Sequence, residues 1–206
     1  MKNTALLIAF AAAIALSATQ SFAQAQNFEG FSAGLDYNSA QSSTTYKSKT
    51  GFLGGETISG GGAGQFGSLQ AQYAIALNES FVLGIGATVA LNSYSLGSLF
   101  TTLNVEGTQK QQWSLDIMPG FAITDSILAY GRASYINASA AAASISGSTE
   151  SSITGTGYGV GLKVLASKNI YWHVDYVQNT YANVELPTSI STLSSNIFSL
   201  GVGYKF

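Results

Sequence analysis

The sequence contains no cysteine, only two prolines and few charged residues. Without cysteine, no disulfide can hold the fold together, and with so little proline, regular backbone hydrogen bonding can run uninterrupted. Charged residues make up 9% of the chain, against ~25% in typical soluble domains, whereas hydrophobic residues make up 46%. A soluble domain with so few charges would have difficulty covering its surface. Lysine and arginine are not clustered, so no nucleic-acid partner is predicted.

Long hydrophobic runs are also scarce. One such run, Ala5 to Leu16, follows Lys2 and precedes the small-x-small sequence Ala23-Gln24-Ala25. This pattern predicts a signal peptide over residues 1–25, with Gln26 as the first mature residue. A transmembrane anchor is the alternative, but the run is short for a span and has no basic flank after it. No later segment is apolar for ~18 residues, so no further membrane-spanning helix is predicted.

From residue 26 onward, apolar residues alternate with small or polar ones in a period of two, which is typical of β-strands. Between Leu83 and Leu91, for example, five apolar residues at odd positions alternate with Gly, Gly, Thr and Ala. The alternation predicts eight strands, of which the fifth alternates least cleanly. The predicted strands are 31–37, 69–77, 83–91, 113–123, 127–138, 158–164, 170–177 and 198–206.

The connections between these strands are of two kinds. Three are short polar turns, at 78–80, 124–126 and 167–169. The other four are longer and rich in Ser, Thr and Gly, at about 42–64, 95–108, 142–153 and 185–195. Because short and long connections alternate strictly, the chain is predicted to run up and down through successive hairpins.

Strands with one apolar face fit either a soluble sandwich or barrel, with that face inside, or a membrane barrel, with that face towards lipid. The small-polar face has too few charges for a solvated exterior, and its many Gly, Ala and Ser residues suit a crowded interior. Short connections at one end and long ones at the other are also typical of outer-membrane barrels. We therefore predict an all-β fold, an eight-stranded antiparallel up-and-down transmembrane β-barrel, over residues 26–206.

Three segments resemble the outer membrane protein A barrel family. They are "GFAITDSILAYGR" (120–132), "YGVGLKVLASKNIYWHVDY" (158–176) and the closing "FSLGVGYKF" (198–206). The resemblance implies a protein of the Gram-negative outer membrane. The terminal aromatics Tyr204 and Phe206 also resemble the carboxy-terminal signal that the barrel-assembly machinery recognises, so that machinery is an expected partner.

Strand parity places a set of charged residues on the inward face; the placement of Arg132, in the weakly alternating strand, also relies on the family resemblance. The set is Asp36, Asp116, Arg132, Lys163, His173, Asp175 and Lys205. The resemblance implies a lumenal ion-pair network, although Lys163 falls where the family often has an acid. An eight-stranded barrel is only wide enough to be filled by side chains, and charges inside it need partners. These constraints favour a plugged lumen. A narrow water-filled passage is the alternative, since inward glycines would leave room.

An enzymatic function is a further alternative, because some eight-stranded barrels resemble lipid A deacylases or acyltransferases, which need a Ser–His–acid set. The chain has one histidine, His173, on the same strand face as Asp175, but nothing marks one serine as a nucleophile. We therefore predict no enzyme, no catalytic or metal site and no cofactor.

Outward aromatic residues, among them Trp113, Trp172 and Tyr204, are predicted to form a girdle at the membrane interfaces. The Ser/Thr/Gly-rich connections are predicted to be flexible and solvated. In the first of them, Tyr46, Lys47, Lys49 and Glu56 are the residues suited to specific contacts.

The resulting functional hypothesis is an integral outer-membrane barrel with a largely plugged lumen, which supports envelope integrity and displays surface loops. The first alternative is a narrow porin for small solutes; an adhesin and a lipid A-modifying enzyme are the others. The predicted partners are outer-membrane lipid and lipopolysaccharide, the assembly machinery, and an extracellular partner reached through the long loops.

Overall fold

A computed structural model describes residues 25–48, 57–100, 105–144, 147–182, 184–186 and 189–206. After a short 3₁₀ turn at Ala25–Phe28, all regular structure in these residues is one antiparallel sheet of ten strands. No helix in this part of the chain is long and apolar enough to cross a bilayer. The strands are β1 (Gly30–Ser48), β2 (Thr57–Ala76), β3 (Phe81–Ala90), β4 (Tyr94–Phe100), β5 (Val105–Thr124), β6 (Ile127–Ser144), β7 (Gly147–Leu165), β8 (Ile170–Tyr181), β9 (Val184–Leu186) and β10 (Ser189–Lys205).

The sheet closes on itself because β1 pairs with β2 on one side and with β10 on the other. Strands β3 and β4 both pair with β5 and together occupy one position in the barrel. Strands β8 and β9 both pair with β10 and share another. The barrel therefore has eight positions, each joined to its sequence neighbours, and the predicted up-and-down architecture is confirmed.

The strands are staggered as closure of a tilted barrel requires. A path of directly opposed residues that starts at Ser32 returns to β1 at Ser42, ten residues further along. Between these two it passes through Gln72, Gly86, Asp116, Ser134, Gly157, Asn179 and Ser195. All of these residues face the interior, so the stagger determines which lumenal side chains can meet.

The three short turns lie at the same end of the barrel as Gly30 and Phe206, and we call this the turn end. Side chains cap these turns. The Asn78 carboxamide oxygen accepts hydrogen bonds from the backbone N–H groups of Ser80 and Phe81, both at 2.9 Å. Such Asx-type bonds replace backbone pairing that a tight turn cannot supply.

The opposite end differs from the expectation of long loops. Most of 42–64, 95–108 and 142–153 is β-strand: β1 and β2 pair as far as Lys47 and Thr57, and β6 and β7 as far as Ser144 and Gly147. Ser, Thr and Gly show little contrast in hydrophobicity, so the alternation is hidden there although the backbone pairing continues. Lys49 and Glu56, named above as contact residues, lie outside the described residues.

The apolar faces of the strands point outward, which excludes the soluble alternative: Leu35, Ile85 and Val160 are 52%, 57% and 64% exposed. Aromatic residues edge this apolar belt at both ends. An inner girdle near the turn end contains Phe31, Tyr73, Phe81, Phe121, Trp172, Tyr204 and Phe206. An outer girdle contains Tyr37, Trp113, Tyr135, Tyr158, Tyr176 and Phe198. The three girdle residues selected from the sequence are thus divided between the two rings.

The weak alternation of β6 has a physical reason. Its outward residues Ala129, Gly131 and Ala133 are small, whereas its inward residues, such as Tyr130 and Ile136, are large. The neighbouring strand β7 compensates with inward glycines at 157, 159 and 161. Large side chains of one strand therefore fill the space above the glycines of the next, as close packing requires.

The same complementarity holds between β8 and β10. A Cβ atom added to Gly201 would overlap the His173 ring, and one added to Gly203 would overlap the Tyr171 ring. The expectation that inward glycines leave room for a passage is therefore wrong at these positions, because neighbouring side chains already occupy the space.

We expect Gly203→Ala to lower the free energy of unfolding by about 1–3 kcal/mol, since the added methyl group overpacks the lumen against Tyr171. Gly131→Ala is the matched control, because a Cβ there faces lipid and its nearest heavy atom lies 3.8 Å away. Urea unfolding of both variants, refolded in detergent micelles, measures the difference. Equal stability of the two variants would contradict this account of the lumenal glycines.

Candidate functional site in the lumen

The turn end of the lumen is closed by an apolar floor. The N-terminal segment Ala25–Phe28 folds into the barrel mouth, where the buried Phe28 packs in a cluster with Val82, Met118 and Leu128. Two hydrogen bonds hold this segment in place: the Ala25 N–H donates to the Glu79 carbonyl at 3.0 Å, and the Asn27 side-chain amide to the Asp125 carbonyl at 3.0 Å. The floor therefore depends on residues that precede the first strand.

The opposite half of the lumen is closed by a second layer, the roof. Phe66 stacks on Tyr94 with ring centroids 4.7 Å apart. The Tyr94 hydroxyl donates to Gln109 at 2.8 Å, and the Gln109 amide donates to the Tyr181 hydroxyl at 2.8 Å. Buried apolar residues complete the layer: Ala40, Leu96, Ile136, Ala138, Ile153 and Ile197. Side chains from most of the strands thus meet above the centre of the barrel.

Between floor and roof lies the first of two charge centres, at His173. Its Nε2 is 2.9 Å from Asp36 Oδ1, and its Nδ1 is 2.7 Å from Asp175 Oδ2. The geometry suits a doubly protonated imidazolium, which donates one hydrogen bond to each carboxylate. The Tyr130 hydroxyl donates to Asp175 at 2.7 Å, and the Ser68 hydroxyl to Asp36 at 3.0 Å. All five residues are buried, and their strands lie on both sides of the barrel seam.

The second charge centre is the ion pair of Arg132 and Asp116, with Nη2 and Oδ2 2.7 Å apart. Arg132 also donates to the Thr88 hydroxyl at 2.7 Å. Asp116 accepts further hydrogen bonds from Ser134 at 2.6 Å and Ser114 at 3.2 Å. A buried carboxylate with this many donors is well compensated for its loss of water.

Lys163 contacts an aromatic ring. It is buried, and its ammonium nitrogen lies 4.4 Å from the centroid of the Tyr171 ring, a cation–π distance. Lys205, also placed inward from the sequence, lies at the rim of the turn end, where it donates to the Glu29 carbonyl at 3.3 Å. The structure thus brings Asp36, His173 and Asp175 together, pairs Asp116 with Arg132, and places Lys163 on Tyr171.

Charge in the lumen is balanced when His173 is an imidazolium, because Arg132, Lys163 and His173 then match Asp36, Asp116 and Asp175. The polar residues that complete the network were not identified from the sequence. They are Ser68, Gln70, Thr88, Ser114, Tyr130 and Ser134. Strand parity correctly places these side chains inward. Because they are neutral, however, the sequence does not show which of them hydrogen-bond to the charged residues and which only fill space.

A small polar cavity of about 40 Å³ lies between the charge centres and the roof. Polar residues such as Asn38, Ser114, Ser134 and Asn179 line it together with Phe66 of the roof. Because one water needs ~10–15 Å³, the cavity has room for only a few waters.

We expect Arg132→Met to destabilise the barrel by about 3–5 kcal/mol, because it leaves the Asp116 carboxylate buried without its cation. The double variant Arg132→Met with Asp116→Asn should recover much of that loss, since no unpaired charge then remains. Lys168→Met, at an exposed turn residue, is the matched loss of a cation and should be nearly neutral. Urea unfolding in micelles measures all three. A double variant no more stable than Arg132→Met would refute a dominant role for the ion pair.

Comparison with known proteins places this geometry in a family. The sequence-family model described as "Outer membrane protein beta-barrel domain" matches residues 8–206. The crystal structure of Ail, the attachment invasion locus protein of Yersinia pestis, is similar with a TM-score of 0.50 and 21% identity, over 86% of this chain and 99% of that one. Neisserial surface protein A is similar with a TM-score of 0.57 and 17% identity, over 86% of this chain and 98% of that one.

Two further comparisons assign no activity to this protein. The outer membrane protease OmpT from Escherichia coli has 9% identity and a TM-score of 0.47, over 92% of this chain and 99% of that one. A search of curated proteins finds none that matches. At these identities the structural likenesses show the fold alone. The family match, which covers nearly the whole chain, establishes that this protein belongs to the outer membrane protein beta-barrel domain family and is an integral protein of the bacterial outer membrane.

Proposed function

We propose that this protein is a non-conducting structural barrel that supports the outer membrane and displays its extended outer strands and loops at the cell surface. The observation that carries this proposal is the filling of the lumen at three levels: an apolar floor, a paired charge layer and an apolar roof. An ion crossing this interior would have to leave water at the floor and again at the roof, at a high cost in free energy.

A porin function has less support. The cavity between the charge centres and the roof, which lumenal residues line, has a volume of only about 40 Å³. A passage would require the Phe28 cluster and the Tyr94–Gln109–Tyr181 cluster to open together. Nothing in their packing or hydrogen bonding favours such an open state.

An enzymatic function also has little support. A hydrolytic triad needs one histidine nitrogen free to accept a proton from a serine or another nucleophile. Each ring nitrogen of His173 is hydrogen-bonded to a carboxylate, Nε2 to Asp36 and Nδ1 to Asp175, and no hydroxyl is among the described partners of the ring. His173 is also buried in mid-lumen, away from the lipid-facing surface where a lipid substrate would lie.

The proposal includes recognition of the last strand by the barrel-assembly machinery. The Phe206 ring is 70% exposed and lies 5.1 Å from the Tyr204 ring, so both aromatic side chains are accessible. The Phe206 backbone N–H donates to the Phe31 carbonyl at 2.9 Å, across the seam that closes the barrel. An extracellular partner, if one binds, would contact the far ends of the strands and the connecting segments outside the described residues.

We expect the refolded full-length protein to give no reproducible open steps in planar bilayers, because floor and roof both block the lumen. A general porin, reconstituted by the same procedure, is the positive control. Reproducible steps for the wild-type protein would overturn the closed-lumen proposal.

A deletion strain tests the proposed role in envelope integrity. Deletion should increase detergent sensitivity, and wild-type protein should restore resistance.

Complementation with His173→Gln, after its outer-membrane level has been matched, should restore resistance with an unchanged lipid A profile. An altered lipid A profile specific to His173→Gln would favour the enzymatic alternative, and unchanged detergent sensitivity on deletion would contradict the envelope role.

A further inference from the structure

Just beyond the outer girdle, the outward face of the barrel changes from aromatic to amide or hydroxyl side chains. On five barrel positions, an outer-girdle aromatic is followed, two residues further out on the same face, by Ser, Thr, Asn or Gln. On β5, a bulge between Lys110 and Trp113 interrupts the alternation. We call these the collar pairs: Tyr37–Ser39, Tyr135–Asn137, Tyr158–Thr156, Tyr176–Gln178 and Phe198–Asn196. The pattern repeats although the strands share no sequence motif.

Strand pairing joins these pairs into a continuous band. Tyr176 lies opposite Phe198, and Gln178 lies opposite Asn196, so the collar pairs of β8 and β10 are side by side. On the other side of the barrel, Trp113 lies opposite Asn137, and its ring is 6.1 Å from Tyr135. Within one pair, two residues of strand separate the aromatic from the amide by about 6–7 Å.

The chemistry of this band is that of a sugar-binding surface. Aromatic rings offer apolar faces on which the C–H face of a sugar ring can pack, while carboxamides and hydroxyls both donate and accept hydrogen bonds with sugar hydroxyls. Spacing of about 6–7 Å lets one sugar residue contact both members of a pair.

This surface lacks the cluster of positive charges that is typical of a phosphate-binding surface. The cations Lys47 and Lys110 lie on different strands, β1 and β5, and neither belongs to a collar pair. Phosphate recognition relies on clustered Arg or Lys, which the collar pairs do not contain.

We propose that the collar pairs bind uncharged core sugars of the lipopolysaccharide that surrounds the barrel in the outer leaflet. Position supports this occupant. The apolar belt below the outer girdle lies in the acyl chains, and the collar continues that lipid-facing surface outward without a break. The core sugars, which are attached just outside the acylated glucosamines of lipid A, therefore lie at the height of the collar.

The test uses the full-length protein in nanodiscs made either with lipid A alone or with lipopolysaccharide carrying a complete core. The two glycolipids share the acyl chains, the glucosamine disaccharide and the phosphates of lipid A, and they differ in the core. We expect the wild-type Tm to be several degrees higher with the complete core. The triple variant Asn137→Ala, Gln178→Ala, Asn196→Ala should lose most of that increase yet match wild type in lipid A. Gln26→Ala, an exposed amide at the turn end, is the control and should behave as wild type.

Equal Tm values in the two glycolipids would overturn the proposal, as would a triple variant that retains the full increase. An increase that the triple variant retains but that high salt abolishes would assign the effect to charged groups of the core. None of these outcomes depends on whether the lumen conducts, so this test and the bilayer test of the proposed function can fail independently.

A second and independent inference concerns Ala25 and the site at which the signal peptide is cleaved. The residue is completely buried in the floor, and its N–H donates to the Glu79 carbonyl. Cleavage after Ala25, as predicted above from Ala23-Gln24-Ala25, would remove this residue from the packed floor. The sequence offers another small-x-small site two residues earlier, Ser21-Phe22-Ala23.

We infer that signal peptidase cleaves the bond between Ala23 and Gln24, so that the mature chain keeps Ala25. Intact-mass measurement of protein purified from outer membranes should then correspond to a chain that starts at Gln24. Ala23→Leu should block processing, whereas Ala25→Leu should still be processed, because residue 25 would lie beyond the cleaved bond. A mass that corresponds to Gln26 as the first residue, or a block by Ala25→Leu, would overturn this assignment.

Discussion

The structure depends on one constraint: backbone N–H and C=O groups cannot be left unpaired in hydrocarbon, where each costs several kcal/mol. A sheet satisfies this constraint only by closing on itself, and here the closing pair is β1 with β10. This pairing continues from Ser32 and Lys205 as far as Ser48 and Ser189, well past the apolar belt. The terminal Phe206 extends the seam through its bond to Phe31, so no edge remains at the turn end.

Closure also fixes the cross-section of the lumen, and the sequence has to fill that fixed volume. Any large inward residue must then be matched by a small one beside it. Tyr171 over Gly203, His173 over Gly201 and Tyr130 beside Gly161 are three cases of this rule. In a soluble protein, abundant glycine would suggest mobile loops. Here the inward glycines leave space that large side chains of the neighbouring strands occupy.

Strand parity was enough to predict the eight barrel positions and the inward direction of every buried charge except Arg132, because lipid outside and a packed lumen inside impose a period of two. The placement of Arg132 also needed the family resemblance, since β6 alternates weakly. Strand parity did not predict three features of the structure. The outer strand ends are Ser, Thr and Gly, whose alternation carries no hydrophobic contrast. The floor is formed by Ala25–Phe28, a segment too short to show a period. The contact of Lys163 with Tyr171 depends on the stagger around the barrel, which no local pattern encodes.

The charge centres explain why the barrel has a single register. Lipid alone specifies parity, because a slip of one residue would turn Asp36 or Asp116 into hydrocarbon. A slip of two residues preserves parity, and there the charge centres add specificity. Asp36 and His173 are 137 residues apart in sequence and meet only with the observed stagger across the seam. Buried ion pairs contribute little net stability against apolar residues, but they penalise every arrangement that separates the partners. Together with the matching of large side chains to the glycines of neighbouring strands, that penalty distinguishes the observed pairing from pairings shifted by two residues.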